Sequence, residues 1–213
     1  MPRPRFDKLP AARQLSLIHA AAAEFAAHGF HDASINRILD RAEVSKGAAY
    51  YYFDDKEDLF LTVVRHYLSE LGIEDFGRLP ATATAETFWT ALAELYRQPF
   101  VRSADDPFAF GLLRAAAELR ASGRFEGEGP LAVFIRETYA VLAALLKRGQ
   151  ELGVIRTDIP DDLLMAWVEA VDDAHDRWVL RHWPELDRDA LSAAADRVVD
   201  ALRRLVGVTG GPV

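Results

Sequence analysis

The sequence has 213 residues and a mass of 23.7 kDa, room for one medium domain or for a small module joined to a larger one. Half the residues are apolar and 27% are charged, a soluble globular balance, and no stretch approaches the roughly 18 consecutive apolar residues of a membrane span. Charged or polar residues recur from Asp7 through His19, which argues against a secretory signal, so a cytoplasmic location with no membrane partner is expected. Cysteine is absent, which excludes disulfides, thiolate zinc sites, cysteine nucleophiles and iron–sulfur clusters together.

The formal charge of -8 speaks against a polyanionic partner, because affinity for phosphates comes largely from lysine and arginine. The average hides an asymmetry. Residues 1–53 carry seven basic and five acidic side chains, a balance of +2, and the remaining 160 residues carry -10. Two parts with different partners are expected.

Apolar residues recur at helical spacing almost throughout, and no segment alternates as a half-buried strand does, so the fold class is predicted to be all-α. The first helix begins near Pro10, turns Leu15, Ile18, Ala22 and Phe25 to one face, and ends at Gly29. Ser34 is placed to cap a short second helix with Ile35, Ile38 and Leu39 inward, stopping near Arg41. After a tight turn at Ala42-Glu43-Val44, Ser45 can cap a third helix over Lys46 to Tyr52. Asp54 and Glu57 have capping-box spacing and open a fourth helix with Phe60, Val63, Val64, Tyr67 and Leu71 on its apolar face. Further helices are predicted over Phe88 toward Pro99, Phe108 to Ala121, Leu131 to Leu152, Asp161 to about Trp183, and Arg188 to Val206.

Three short helices joined by tight turns describe a helix-turn-helix unit, whose second paired helix lies in the DNA major groove. Gly47 and Ala48 are small enough for close backbone approach to DNA, while Tyr50, Tyr51 and Tyr52 offer hydroxyls to phosphates and rings to sugars. Lys46 and Lys56 bracket them with positive charge. Taken alone, the tyrosine run reads as packing, and at least one ring, together with Ala49 and Phe53, should face the core. With the flanking turns, DNA contact becomes the better reading. Arg3 and Arg5 read equally as a phosphate or minor-groove arm and as a frayed tail.

The run Gly29-Phe30, Ser34, Ile38, Arg41 through Phe53 and Lys56-Glu57-Asp58-Leu59 resembles the N-terminal domain of the tetracycline-repressor (TetR) family of bacterial transcription regulators, over about residues 11–60. The resemblance implies a DNA-binding domain at 1–54 and a helical ligand-binding and dimerisation domain at 55–213. It implies a homodimer on a palindromic operator in double-stranded DNA, released by a small-molecule effector, with repression the usual output. Phosphate contacts then fall on Ser34, Tyr50, Tyr51 and Lys56, and groove-facing residues on Asn36, Ser45, Lys46, Gly47, Ala48 and Tyr52. Two departures stand out: Glu43 occupies a turn position where the family has glycine, and Ala48-Ala49 stand where threonine and leucine are common. In the family the last two helices form a four-helix dimer bundle, which here assigns the seam to Leu180, Trp183, Leu191, Ala195, Val198, Val199 and Leu202.

Aromatic residues are dense after residue 84, and most are core. Small-molecule sites between bundle helices are apolar with a few polar groups, so an effector site is expected from Trp89, Phe110, Arg114, Trp167, Glu169 and Asp173. An apolar or aromatic effector is expected, with a cationic option steered by Glu169. Filling the site should tilt the fourth helix, continuous from Asp55 to Leu71, and change the spacing of the two recognition helices. Asp172, His175 and Asp176 share a helix face, but the stronger reading is solvated or paired acids, so no metal or cofactor is expected. No catalytic motif is present. The rival is a non-catalytic helical protein-interaction module, which leaves the capped short helices with Lys46 and Lys56 unexplained.

Overall fold

The computed structural model describes residues 4–45, 51–70, 79–104, 106–121 and 129–208. The helices are α1 (Ala11–Asp32), α2 (Ile35–Arg41), α3 (Lys56–Glu70), α4 (Phe88–Ser103), α5 (Pro107–Ala121), α6 (Pro130–Glu151), α7 (Asp161–His182) and α8 (Arg188–Val206). Among the described residues the only strand-like pairing is a single bridge between Ile155 and Gly207, so the all-α expectation holds. The chain forms two compact units, one of Met1–Glu74 with Asp105–Arg136 and one of Asp75–Ala104 with Glu137–Val213. These packing units do not coincide with a division at residue 54, because α3 and α5 both pack on α1. Among the described residues no helix is long and apolar enough to cross a membrane.

In the first unit α1 buries Leu17, Ile18, Ala21, Ala22 and Phe25. Leu15, expected inside, is exposed instead, since the buried stripe runs one residue further along the helix. Phe25 meets Phe60 of α3 edge-on at 4.9 Å, and Phe30 meets the same ring at 5.3 Å, joining the two helices through aromatic contacts. Helical geometry breaks at Gly29 (φ 69°), as the sequence suggests, and resumes for one turn to Asp32. Ser34 caps α2 by accepting from the Arg37 N–H at 3.4 Å.

The turn after α2 is a Schellman motif. The Val44 N–H donates to the Leu39 carbonyl and the Glu43 N–H to Asp40. Glu43 occupies the left-handed position (φ 55°), where a residue with a Cβ costs about 1–2 kcal/mol. The two carbonyls satisfied there hold the conformation despite that strain. The predicted capping box on α3 is real but shifted by one residue. Asp55 Oδ1 accepts from the Asp58 N–H at 2.8 Å, and buried Asp58 accepts in return from the Asp54 N–H at 3.3 Å.

In the second unit α8 packs against α4 and α7. Its core holds Phe88, Leu92, Leu142, Leu145, Leu164, Val198 and Leu202. α4 runs through Pro99 rather than stopping before it, extending to Ser103. Asp187 caps α8, accepting from the Ala190 N–H at 2.8 Å. The loop after α6 closes on the end of α8, with the Arg156 N–H donating to Val206 and the Val208 N–H to Val154.

Gly111 marks the closest approach of α5 to α1: a Cβ there would lie 2.2 Å from the Ala26 Cβ and 2.5 Å from its Cα. Alanine would gain about 1 kcal/mol of helix propensity over glycine, but the clash is with backbone and requires the helices to separate. Gly111→Ala is therefore expected to destabilise the fold by about 1–3 kcal/mol, read as a lower midpoint in urea unfolding.

Candidate functional site

The first candidate surface begins with a buried charge. Glu24 on α1 is 1% exposed, and its Oε1 accepts from Arg37 Nε at 2.7 Å and from the Ser34 N–H at 2.9 Å. Arg37 also donates to the Asp32 carbonyl at 2.9 Å. One carboxylate thus ties the end of α1 to the cap and first turn of α2. Burial pushes the Glu24 carboxyl pKa up, but the hydrogen bonds from Arg37 and Ser34 and the Arg37 charge outweigh burial and hold it below the usual range.

Lys56 closes the same corner from α3. Its Nζ donates to the carbonyls of His31 at 2.9 Å and Ala33 at 3.3 Å and lies 4.9 Å from the Phe30 ring centroid. Two of the three ammonium donors are thus spent on main-chain carbonyls. Around this corner Ser34 is half-buried, while Asn36 and Ser45 are exposed. Tyr51 and Tyr52 are helical. The Tyr51 ring is 47% exposed, whereas Tyr52, expected to face the groove, is half-buried against the core with Phe6 edge-on at 6.4 Å. Phe53 is buried, as predicted. Lys46, Gly47, Ala48, Ala49 and Tyr50 lie outside the described residues, as does Arg3.

The expected effector residues divide between the two units. Phe110 and Arg114 belong to the first unit, where Arg114 donates to the Ala26 carbonyl at 3.0 Å, a carbonyl one turn before the Gly29 break, and faces Glu118 at 3.7 Å. Trp89, Trp167, Glu169 and Asp173 belong to the second unit. There a cavity of about 30 Å³ is lined by Phe88, Trp89, Leu92, Tyr96, Leu142, Leu145, Leu146, Ile155, Val168, Leu202 and Val206. Only Trp89 of the expected set lines it. Trp167 packs half-buried against the same core, and Glu169 and Asp173 are half-buried outside the lining. Among the described residues no charged side chain lines this cavity.

The expected dimer seam needs a larger correction. Leu191, Ala195, Val198, Val199 and Leu202 are all at most 4% exposed within the single chain. The apolar face of α8 packs on α4 and α7 of the same chain, and of these five side chains only Val198 borders the open groove between α7 and α8. Leu180 is half-buried, and half-buried Trp183 packs toward Phe100 with ring centroids 6.3 Å apart. The face left open lies on α7, where exposed Leu163, Ala166, Ala170, Ala174 and Trp178 recur every three or four residues. Beside it Val171, His175, Trp178, Ala194, Arg197, Val198 and Ala201 form an open groove with α8. The periodic exposure of α7 was readable only by asking which helix face remained after α8 was satisfied. His175 contacts the Ala194 carbonyl at 3.2 Å, and among the described residues no cluster of His, Asp and Glu is gathered to hold a metal.

Comparison with known proteins places these features. A family model described as bacterial regulatory proteins, tetR family, matches residues 17–63, which take in most of α1, all of α2 and half of α3. The HTH-type transcriptional repressor SCO4008 of Streptomyces coelicolor is 31% identical over 160 residues, covering 75% of this chain and 76% of the relative. The HTH-type transcriptional repressor Rv1474c of Mycobacterium tuberculosis is 26% identical over 208 residues, covering 96% of this chain and all of the relative. The fold is similar to that of the transcriptional regulator FadR from Bacillus subtilis in complex with stearoyl-CoA, with a TM-score of 0.63 at 20% identity over 88% of this chain and 96% of that one.

Because the folded-state pKa of Glu24 is depressed, its stabilising contribution is present above the ordinary 4.5 and is lost as pH falls through the lowered value. Glu24→Gln is expected to cost about 1–3 kcal/mol near neutral pH and to flatten the acid limb of stability below 4.5, measured by urea unfolding from pH 7 to pH 3. An unchanged acid limb would remove Glu24 from that role.

Proposed function

Since the chain belongs to the TetR family of bacterial regulatory proteins, a family of DNA-binding transcription regulators rather than enzymes, we propose that it represses transcription as a homodimer on a palindromic operator and releases it when a small apolar molecule enters the second unit. The observation that carries this reading is the α1–α2–α3 corner, fixed by Glu24 and Lys56, around which Ser34, Asn36, Ser45 and Tyr51 are at least partly open to solvent. Division of labour between residues 1–54 and 55–213 belongs to the same proposal. Lys46, Gly47, Ala48 and Tyr50 stay in it on the resemblance, as does the expected cytoplasmic location.

Charge supports it. The basic balance of residues 1–53 sits with the DNA-facing elements, and the acidic remainder discourages binding of DNA through the wrong face. The rival of a helical interaction module accounts for the open α7 face but not for this corner.

The exposed α7 stripe, with Ala201 and Arg197 of α8 beside the groove, is the surface we assign to the dimer in place of the buried α8 residues. Small alanines there allow close approach of a symmetry-related helix, and Trp178 supplies a large anchor. A two-fold dimer then presents its heads to half-sites about 34–36 Å apart or at a multiple.

The cavity wall is apolar and aromatic, which supports a neutral, largely hydrocarbon or aromatic effector. FadR of Bacillus subtilis holds stearoyl-CoA, so a long acyl chain is one such candidate. None of the cavity residues lies on α3, so the expected tilt of that helix has no direct lever. α6 is the helix that carries Leu142, Leu145 and Leu146 to the cavity.

Two outcomes follow. Duplexes selected from random sequences by the full-length protein are expected to contain an inverted repeat and to be released by acyl or aromatic compounds without need of a charged group. Release by hydrophilic ions alone would overturn the effector class, and selection of no DNA would overturn the whole reading. Trp178→Glu is expected to shift the protein to a monomer by analytical ultracentrifugation and to weaken operator binding by at least tenfold, while far-ultraviolet circular dichroism stays unchanged.

A further inference from the structure

The segment before α1 is docked on the head rather than trailing from it. Phe6 is 3% exposed, with its ring 5.0 Å from that of Phe53 and 6.4 Å from that of Tyr52. Gln14 of α1 grips the same segment, its Nε2 donating to the Leu9 carbonyl at 2.9 Å and to the Asp7 carbonyl at 3.2 Å. Immediately before these anchors the exposed Arg5 lays its guanidinium 4.3 Å from the centroid of the exposed Tyr51 ring.

That contact sets the guanidinium over the ring. Its five N–H donors lie in the plane of the group, and a cation–π contact needs none of them as a conventional hydrogen bond to an oxygen. Among the described residues no carboxylate pairs with Arg5 and no carbonyl accepts from it. A solvent-facing guanidinium held in place on an aromatic ring, with its donors unspent, has its orientation fixed before any anion arrives, which reduces the ordering cost of a bidentate contact.

We infer that Arg5, anchored by Phe6 and stacked on Tyr51, is a DNA-binding residue that clamps one backbone phosphate together with the Tyr51 hydroxyl. The inference rests on the proposed DNA-binding reading and adds to it a contact from outside the three-helix head. A phosphate partner, rather than the minor groove, follows from the partner ring. A tyrosine hydroxyl donates well to a phosphate oxygen, and the cation–π contact holds Arg5 over the ring that carries that hydroxyl instead of extending it as a free arm. The contact carries no sequence information and strengthens binding to every operator alike.

The chain has no cysteine, so a single one can be labelled without background. Arg5→Cys carrying iron-EDTA, added to a duplex that the unmodified full-length protein selects from random sequences, is expected to cut the backbone at a discrete position in each half-site. Arg5→Ala is expected to lower affinity for that duplex about three- to tenfold near 0.15 M salt. Its log K against log salt slope should become shallower by about 0.9 for each Arg5 engaged, with the thermal midpoint unchanged. An unchanged salt slope together with a lower thermal midpoint would make Arg5 a brace for Tyr51 and overturn the inference. So would a loss confined to sequences with A·T-rich flanks, which would mark minor-groove reading, and so would absence of cutting from position 5 on a duplex the unmodified protein retains. If the unmodified protein retains no duplex, it is the DNA-binding reading itself that fails.

Discussion

Glu24 is the point on which the head depends. A helix as short as α2 is marginal by itself, since its seven residues form few internal hydrogen bonds for the entropy they lose. Its orientation is set instead by one buried carboxylate that accepts from the N–H of its cap and from a side chain in its first turn. Removing either donor would leave a buried charge short of partners, which costs more than the pair contributes when intact. Lys56 adds a second tie by satisfying carbonyls at the end of α1, where the helix has already broken at Gly29. The two ties use opposite charges at the same α1–α2 corner. In the proposed reading Glu24 stays off the DNA and fixes where the contacting residues are held, whereas Lys56 both braces the corner and is one of those residues.

Much of this corner was legible from the residues. Ser34 as a cap, the break at Gly29 and the turn after Arg41 are all local chemistry, decided by the side chain at one position and the backbone it permits. Phe53 inside and one tyrosine turned to the core follow from helix geometry. The Glu24–Arg37 tie was not legible, because the partners are thirteen residues apart and a glutamate on a helix ordinarily faces water. Its only signal was position: Glu24 precedes Phe25 within the run of alanines that packs most tightly. Likewise, the shift of the capping box from Asp54 and Glu57 to Asp55 and Asp58 reflects three acids with interchangeable chemistry, among which spacing alone does not choose.

Further along, legibility failed for a different reason. Periodicity identifies the face of a helix that will be covered but carries no record of what covers it. α8 has a strong apolar face, and Leu191, Ala195, Val198, Val199 and Leu202 are indeed buried, but by α4 and α7 of the same chain. The helix that keeps an open face, α7, advertises it with alanines rather than leucines, and small residues contribute little to a hydrophobic pattern. Arg114 shows the same limit for polar groups. Its spacing suggested a ligand, whereas it satisfies a main-chain carbonyl of α1.

The cavity adds a constraint on how any effector could act. A space of about 30 Å³ admits little more than a water molecule, so a molecule with an acyl chain or an aromatic ring does not fit the form described here. In the proposed reading such a ligand binds a form in which this cavity has widened. Binding to one form and not the other is the differential affinity that a population shift requires, and each factor of ten in that preference supplies about 1.4 kcal/mol. Moving a molecule from almost wholly closed to almost wholly open takes about 5.5 kcal/mol, four such factors, which burial of a long hydrocarbon at roughly 0.8 kcal/mol per methylene can supply. A tightly filled core is therefore compatible with ligand control. The better the closed form packs, the more completely it excludes the effector, and the more sharply the effector selects the alternative.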